Sequence, residues 1–339
     1  MTDASSPAPE RSALTPFARS ARVRAHEAVI WMLAALAIVL FPRQAALWNE
    51  IAILALFAVS LDLILGYGGI VSLGQAAFFG TGCYTAALFA KHVMGDPLVG
   101  LAVGASAAAL VGLATSVLVL RGSDLTRLMV TLGVASIGYE LANRFDQITG
   151  GADGLHGFVI APLLGRFAFD LEGKVAYYYS LTVLFVLFLV ARAIVHAPFG
   201  YSLMAIRDNR TRAAAIGIDS NRRLAAIYTL AAAMAGAAGA LLAQTTGFVS
   251  LDALDFHRSA DVLLVLVIGG TGYLYGGLIG AVVFVVMKDL LSAATPQYWQ
   301  FWLGLILMAI VLVGRERLVR PWHTVADLVR RRRGAVSEP

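Results

Sequence analysis

Residues 98–120 read LVGLAVGASAAALVGLATSVLVL, a run with no charged side chain and none of the strict apolar–polar alternation that marks a half-buried strand. At about 1.5 Å per residue, a helix of this length crosses the ~30 Å hydrocarbon core of a bilayer. Hydrocarbon offers no water to backbone N–H and C=O groups, so such a run must satisfy them internally, as a helix does. The same reading extends to the whole chain. Of its 339 residues 59% are hydrophobic and only 14% charged, with a mean hydropathy of +0.77, against about 25% charged residues in soluble domains.

Further apolar runs lie near 28–42, 50–66, 72–92, 125–143, 177–196, 223–246, 258–268, 278–292 and 298–314. The expected fold is therefore all-α, a polytopic transmembrane helical bundle of roughly eight to ten spans. The count is open because the first run is short and the two runs flanking 269–277 are short and Gly-broken; 66–74 is the other break. Residues 1–27 read as a disordered polar tail, 28–315 as the membrane domain and 316–339 as a basic tail. A basic tail before an apolar run also fits a cleavable signal peptide, but the many further spans favour an uncleaved first helix.

Three of the 26 basic residues are Lys (Lys91, Lys174, Lys288) and the rest are Arg. They sit in short connections and at the termini rather than on one surface, which argues against a nucleic-acid partner. The positive-inside rule then assigns sides. The cytoplasm receives Arg11, Arg19, Arg22 and Arg24, then Arg121 and Arg127, then Arg192, Arg207, Arg210, Arg212, Arg222 and Arg223, and finally Arg315, Arg317, Arg320 and Arg330 to Arg333. The other side receives Arg43, Lys91, Arg144, Arg166 and Lys174. Both termini are expected to be cytoplasmic.

The chain has no Gly-x-x-x-x-Gly-Lys-Ser/Thr phosphate loop, no His-Glu-x-x-His pair and no Gly-x-Ser-x-Gly elbow, so no catalytic residue is assigned. Its six His are dispersed and Cys83 stands alone. Neither a metal site nor a cofactor is expected. Asp62, Glu140, Asp261, Lys288 and Asp289 lie in or beside the spans. Intramembrane charge is expensive, which keeps an ion-coupled transporter in view. Asp62 is the deepest, with a helix-capping or structural role favoured over a coupling role.

Two connections are too long to be mere turns: an outer one over 144–176 and an inner one over 197–223. In the inner loop Pro198 and Gly200 break the preceding span, and Tyr201 to Arg207 can form a short helix. Asp208 or Asn209 can cap a second helix that carries Ala213 and runs through Ile216; Gly217 suits the C′ position, and Asp219 to Asn221 can cap the next span. A helix-turn-helix projecting into the cytoplasm is expected.

This loop and the following Met234-Ala-Gly-Ala-Ala-Gly-Ala-Leu resemble the permeases of the branched-chain amino acid ABC importers, specifically their longer permease subunit. Three other segments share the resemblance: GYGGIVSLGQAAFFG at 66–80, TGGADGL at 149–155 and VIGGTGYLYGGLIGA at 267–281. It covers residues 45–315. It implies a multi-pass subunit of the bacterial plasma (inner) membrane, surrounded by lipid, that pairs with a homologous second permease. Two cytoplasmic ATPase subunits would drive transport through Gly200, Tyr201, Arg207, Asp208, Asn209, Ala213 and Gly217, and an extracytoplasmic binding protein would deliver the amino acid.

Glycine inside a span lowers helix propensity by about 1 kcal/mol per residue. Two readings of the Gly clusters compete: close helix packing, or broken helices whose backbone lines a substrate path near the midplane. On the second reading Gly68, Gly69, Ser72, Gln75, Gly269, Gly270 and Thr271 line the path. Thr149, Gly150, Gly151 and Asp153 cannot be helical within a span, and are expected to form a binding-protein contact or gate, or else a rigid loop. The alternative function is an ion-coupled secondary transporter or channel for small polar or zwitterionic solutes, or amides such as urea.

Overall fold

The computed structural model describes residues 25–122, 124–163, 165–169 and 173–313. The expected 316–339 tail, and all but the last three residues of the expected 1–27 tail, lie outside them. Helices form wherever an apolar run was placed: α1 (Ala25–Leu40), α2 (Ala45–Asp62), α3 (Gln75–His92), α4 (Pro97–Val119), α5 (Asp124–Arg144), α6 (Lys174–Val195), α9 (Ser220–Thr246), α10 (Phe256–Gly269), α11 (Leu274–Ala294) and α12 (Trp299–Val313). The 197–223 loop supplies the two short helices between α6 and α9: α7 (Pro198–Asp208) and α8 (Arg210–Ala215). Among the described residues the only β-pairing is two isolated bridges.

Among the described residues five helical stretches are long and apolar enough to cross a membrane unaided: Pro42–Tyr67, Pro97–Val119, Lys174–Val195, Ser220–Thr246 and Leu274–Ala294. The 14-residue α10 is only about 21 Å long, so it ends inside a ~30 Å core unless neighbouring helices support it. A multi-pass all-α membrane bundle accounts for this build.

At the centre is α2, whose side chains are buried on every face from Ile51 to Asp62. A helix apolar all round is stable only when surrounded, and α6, α9 and α11 pack around it. Beside it α3, α4 and α9 meet through small residues: a Cβ on Gly82 would overlap the Gly236 carbonyl, and one on Gly239 the Phe79 carbonyl. Gly236 and Gly239 of α9 thus serve close helix packing. Conversely Leu110, Leu113, Val117 and Leu118 on α4 are exposed, an outward apolar face suited to lipid.

Two polar ties fasten the helix ends. Near the α7–α8 loop, Glu27 of α1 and Arg192 of α6 form a buried ion pair. At the opposite end Tyr179 donates to Gln244 Oε1 at 2.9 Å, and Gln244 Nε2 donates to the Pro97 carbonyl at 2.8 Å. That triad joins α6, α9 and α4, which satisfies groups that would otherwise be buried unpaired.

Candidate functional site

The 197–223 loop folds as its capping residues dictate. Asn209, extended at φ −159°, accepts from the Arg212 N–H at 2.9 Å and so caps α8, while Asp219 accepts from the Arg222 N–H at 3.2 Å and caps α9. Such a cap satisfies an N–H that the helix itself leaves without a partner. Gly217 follows α8 at φ +84°, with open space where a side chain would stand. The positive φ is what requires glycine there. Ala213 is buried, Gly200 packs on the Val195 carbonyl, and Asp208 is exposed.

From the last turn of α7, Arg207 reaches into the membrane domain and its Nη1 donates to the Gly66 carbonyl. Gly66 lies in a π-helical turn, Leu63–Tyr67, that continues α2 and closes with Gly68 N–H donating to the Leu63 carbonyl at 3.2 Å. π-turns are rare and concentrate at functional places. One turn back, Asp62 is fully buried and its Oδ1 accepts from the Gly272 N–H at 2.7 Å. Gly272 sits in the break between α10 and α11. The structural role expected for Asp62 is therefore a bond to a break 210 positions away.

A Cβ on Gly66 would overlap both Asp62 Oδ1 and the Gly272 nitrogen. The two Gly-rich breaks therefore touch each other, at the end of the bundle that carries the α7–α8 loop. Within the first break, Gly69 lies against the Arg207 stem, where a Cβ would stand 2.6 Å from its Cγ. Ser72 and Gln75 are buried; Gln75 Nε2 donates to Ser60 Oγ at 3.4 Å and Ser72 Oγ accepts from the Gly74 N–H at 3.3 Å. In the second break Gly269 packs on the Gly276 carbonyl, Gly270 adopts φ +96°, and Thr271 is exposed. Asp62 Oδ2 is buried without a hydrogen-bond partner.

Thr149, Gly150, Gly151 and Asp153 form tight turns at the opposite end. Thr149 Oγ1 donates to the Ala142 and Phe145 carbonyls, Gly150 and Gly151 have φ of +80° and +52°, and Asp153 is exposed. Leu155 and Val249 exchange backbone bonds of 2.7 and 3.1 Å, which lace this loop to the segment between α9 and α10. Where that segment meets α10, just ahead of the expected span 258–268, Asp255 Oδ1 lies 3.0 Å from His257 Nδ1. The bond to the carboxylate, reinforced by its charge, raises the His257 pKa. Partial desolvation would raise that of Asp255, but its hydrogen bonds from His257 outweigh this and hold it below the usual value.

Also at this end, the side chains of Glu50 and Lys288 pair at 3.0 Å and form part of the wall of a polar cavity of about 390 Å³. A second cavity of about 570 Å³ shares Ala46 and Glu50 and extends to Asn49, Phe169, Leu242, Thr245 and Arg258. Glu50 and Arg258 were missed as candidates because each is one charge near a span end, a common anchoring feature. Among the described residues no three of His, Cys, Asp and Glu gather as metal ligands would.

A bundle of apolar helices with two touching glycine-rich breaks and a projecting two-helix loop is the build of a multi-pass membrane transport protein. The family model described as "Branched-chain amino acid transport system / permease component" matches residues 44–313, and the chain belongs to that family. It is similar to the high-affinity branched-chain amino acid transport system permease protein LivM of Salmonella typhimurium, at 31% identity over 294 residues covering 78% of this chain and 67% of LivM. The autoinducer 2 import system permease protein LsrC of Enterobacter sp. is 30% identical over 153 residues, 42% of this chain and 44% of LsrC. The permease protein LivH of Salmonella typhimurium is 27% identical over 118 residues, 35% of this chain and 38% of LivH. No solved structure matches the chain.

Proposed function

We propose that this chain is one permease subunit of an ATP-driven importer that carries branched-chain or related amino acids inward across the bacterial inner membrane, with both termini cytoplasmic. The substrate class follows the names of the LivM relatives. A homologous second permease completes the pathway, two ATPase subunits bind the α7–α8 loop, and an extracytoplasmic binding protein docks at the opposite end, on Thr149, Gly150, Gly151 and Asp153. The chain itself carries no nucleotide-binding loop, so ATP hydrolysis belongs to the partners.

The observation that carries this reading is the bond from Arg207 to the Gly66 carbonyl, backed by Asp62 to Gly272. A displacement of α7 by the ATPases pulls on the first Gly-rich break, and through Asp62 on the second. In this reading Gly68, Gly69, Ser72, Gln75, Gly269, Gly270 and Thr271 line the solute path and shift as the breaks are pulled.

The test is reconstitution with both ATPases and the second permease. Arg207→Ala and Gly217→Arg are expected to leave the protein inserted and ATP hydrolysis running, while uptake falls about tenfold or more; loss of one charge-assisted bond is of that order. A Cβ on Gly217 meets no neighbour but stands on a backbone with φ +84°, so an unchanged melting temperature of Gly217→Arg is required before its loss of uptake reports docking rather than misfolding. Normal uptake in both variants would overturn the coupling role. The unpartnered Asp62 Oδ2 favours one second reading, proton-coupled transport; gradient-driven uptake without the ATPases would establish it.

A further inference from the structure

The 570 Å³ cavity at the end opposite the α7–α8 loop is of the size that small-ligand sites occupy, about 300–1,000 Å³. Its walls carry opposite electrical demands. Among the described residues Arg258, half-buried in the first turn of α10, forms no ion pair, and Asp261 one turn on lies near enough to feel its charge without pairing. A half-buried guanidinium with five donors and no ion-pair partner is a ready carboxylate receptor. From α2, Asn49 and Glu50 also line the cavity. Asn49 is nine-tenths buried, its Nδ2 donating to Thr245 Oγ1 at 3.1 Å while its Oδ1 is left without a partner. A buried acceptor left unpaired costs about 1–3 kcal/mol and calls for an explanation. Glu50 supplies the negative charge beside it, shared with Lys288. Ile53, Leu242 and Phe169 add an apolar lining.

We propose that this cavity is a binding station for a neutral α-amino acid, with the carboxylate on Arg258, the ammonium between Asn49 and Glu50, and the side chain on Ile53, Leu242 and Phe169. The inference rests on the importer reading above and adds to it a place within this subunit, apart from the Gly-rich breaks, where the solute is held. A free carboxylic acid leaves the Asn49–Glu50 side unanswered, and an amide or ester leaves Arg258 unanswered. The terminal amide torsion of Asn49 is soft, which lets Oδ1 turn to an arriving ammonium. The station therefore selects a zwitterion by requiring both ends at once.

The test uses the complex of this chain with its second permease and ATPases in lipid nanodiscs, without binding protein, and radiolabelled L-leucine as probe. Saturable binding is expected. Arg258→Gln is expected to weaken it about tenfold or more, the scale of a charge-assisted bidentate bond, with elution volume and thermal stability unchanged because Arg258 is half-exposed. Asn49→Asp retains the acceptor, so binding should stay within about threefold, whereas Asn49→Leu should weaken it about tenfold. Leucinamide and 4-methylpentanoate are each expected to compete at least about tenfold less well than leucine.

No saturable leucine binding by the wild-type complex, equal affinity in Arg258→Gln, or leucinamide competing as well as leucine would each overturn the station. ATP-driven leucine uptake by the wild type together with unchanged leucine binding in Arg258→Gln would overturn it while leaving the importer reading intact. Absence of any ATP-driven amino-acid uptake by the wild type would instead sink the importer reading.

Discussion

The two ends of this bundle spend their polar groups in opposite ways. Near α7 and α8, Arg207, Gly66, Asp62 and Gly272 close directly on one another, with backbone groups as partners and no room for a Cβ on Gly66. At the far end, Glu50, Lys288, Arg258 and Asn49 stand around cavities of about 390 and 570 Å³. Tight backbone contact transmits displacement, because packed interiors shift between discrete arrangements rather than deforming smoothly. Polar groups around open volume hold a solute instead. The contrast fits a proposed division of labour in which force enters at one end and solute at the other.

The comparison breaks most visibly at Gly66. Gly66→Leu must displace both Asp62 and Gly272, and overpacking of this kind costs about 1–3 kcal/mol or more. The expected outcome is a lowered melting temperature of the detergent-solubilised protein and loss of uptake, by about tenfold or more. A variant with wild-type melting and uptake would show that the two breaks are not held against each other.

Asp62 gives a smaller and more discriminating effect. Asp62→Ala leaves the Gly272 N–H without its acceptor, a loss of about 1–3 kcal/mol, whereas Asp62→Asn keeps an acceptor oxygen in place. Thermal unfolding is expected to rank wild type and Asn close together and Ala well below. If Asn were as damaging as Ala in uptake while remaining stable, charge rather than the bond would be what matters, as the proton-coupled reading requires.

The smallest effect is expected at the far end, in the exposed Asp255–His257 pair. The raised His257 pKa means that its stabilisation is fully present below the unfolded value and is lost as pH rises through the folded one. The lowered Asp255 pKa means that its contribution is present above the unfolded value and is lost as pH falls through the folded one. The pair thus supports the α9–α10 connection best between these limits. His257→Gln is expected to flatten the pH dependence of melting by no more than about a degree or two, since exposed ion pairs contribute little; an unchanged profile would show that the pair is inert.

Much of the local structure was legible in the chain. Each apolar run became a helix, because hydrocarbon-compatible segments have no other way to satisfy their backbones. Asn209, Gly217 and Asp219 took up the capping places their chemistry suits, since a cap depends on residues within one turn. Less legible was the partnership of the glycines. The two Gly-rich breaks read as separate places near the midplane, yet they meet beside Arg207. Arg192, counted among the loop cations, is buried against Glu27, a residue that read as part of the tail.

Composition and run length by themselves determined an all-helical membrane protein, its segment boundaries to within a few residues and the shape of its α7–α8 loop, because backbone desolvation and capping act over short stretches of chain. Only the tertiary structure decided that Asp62 answers Gly272, that Arg207 answers Gly66, and that Asn49 and Arg258 share a cavity. Those pairs lie 210, 141 and 209 positions apart in sequence. Such contacts depend on how tilted helices cross, which no local pattern of residues encodes.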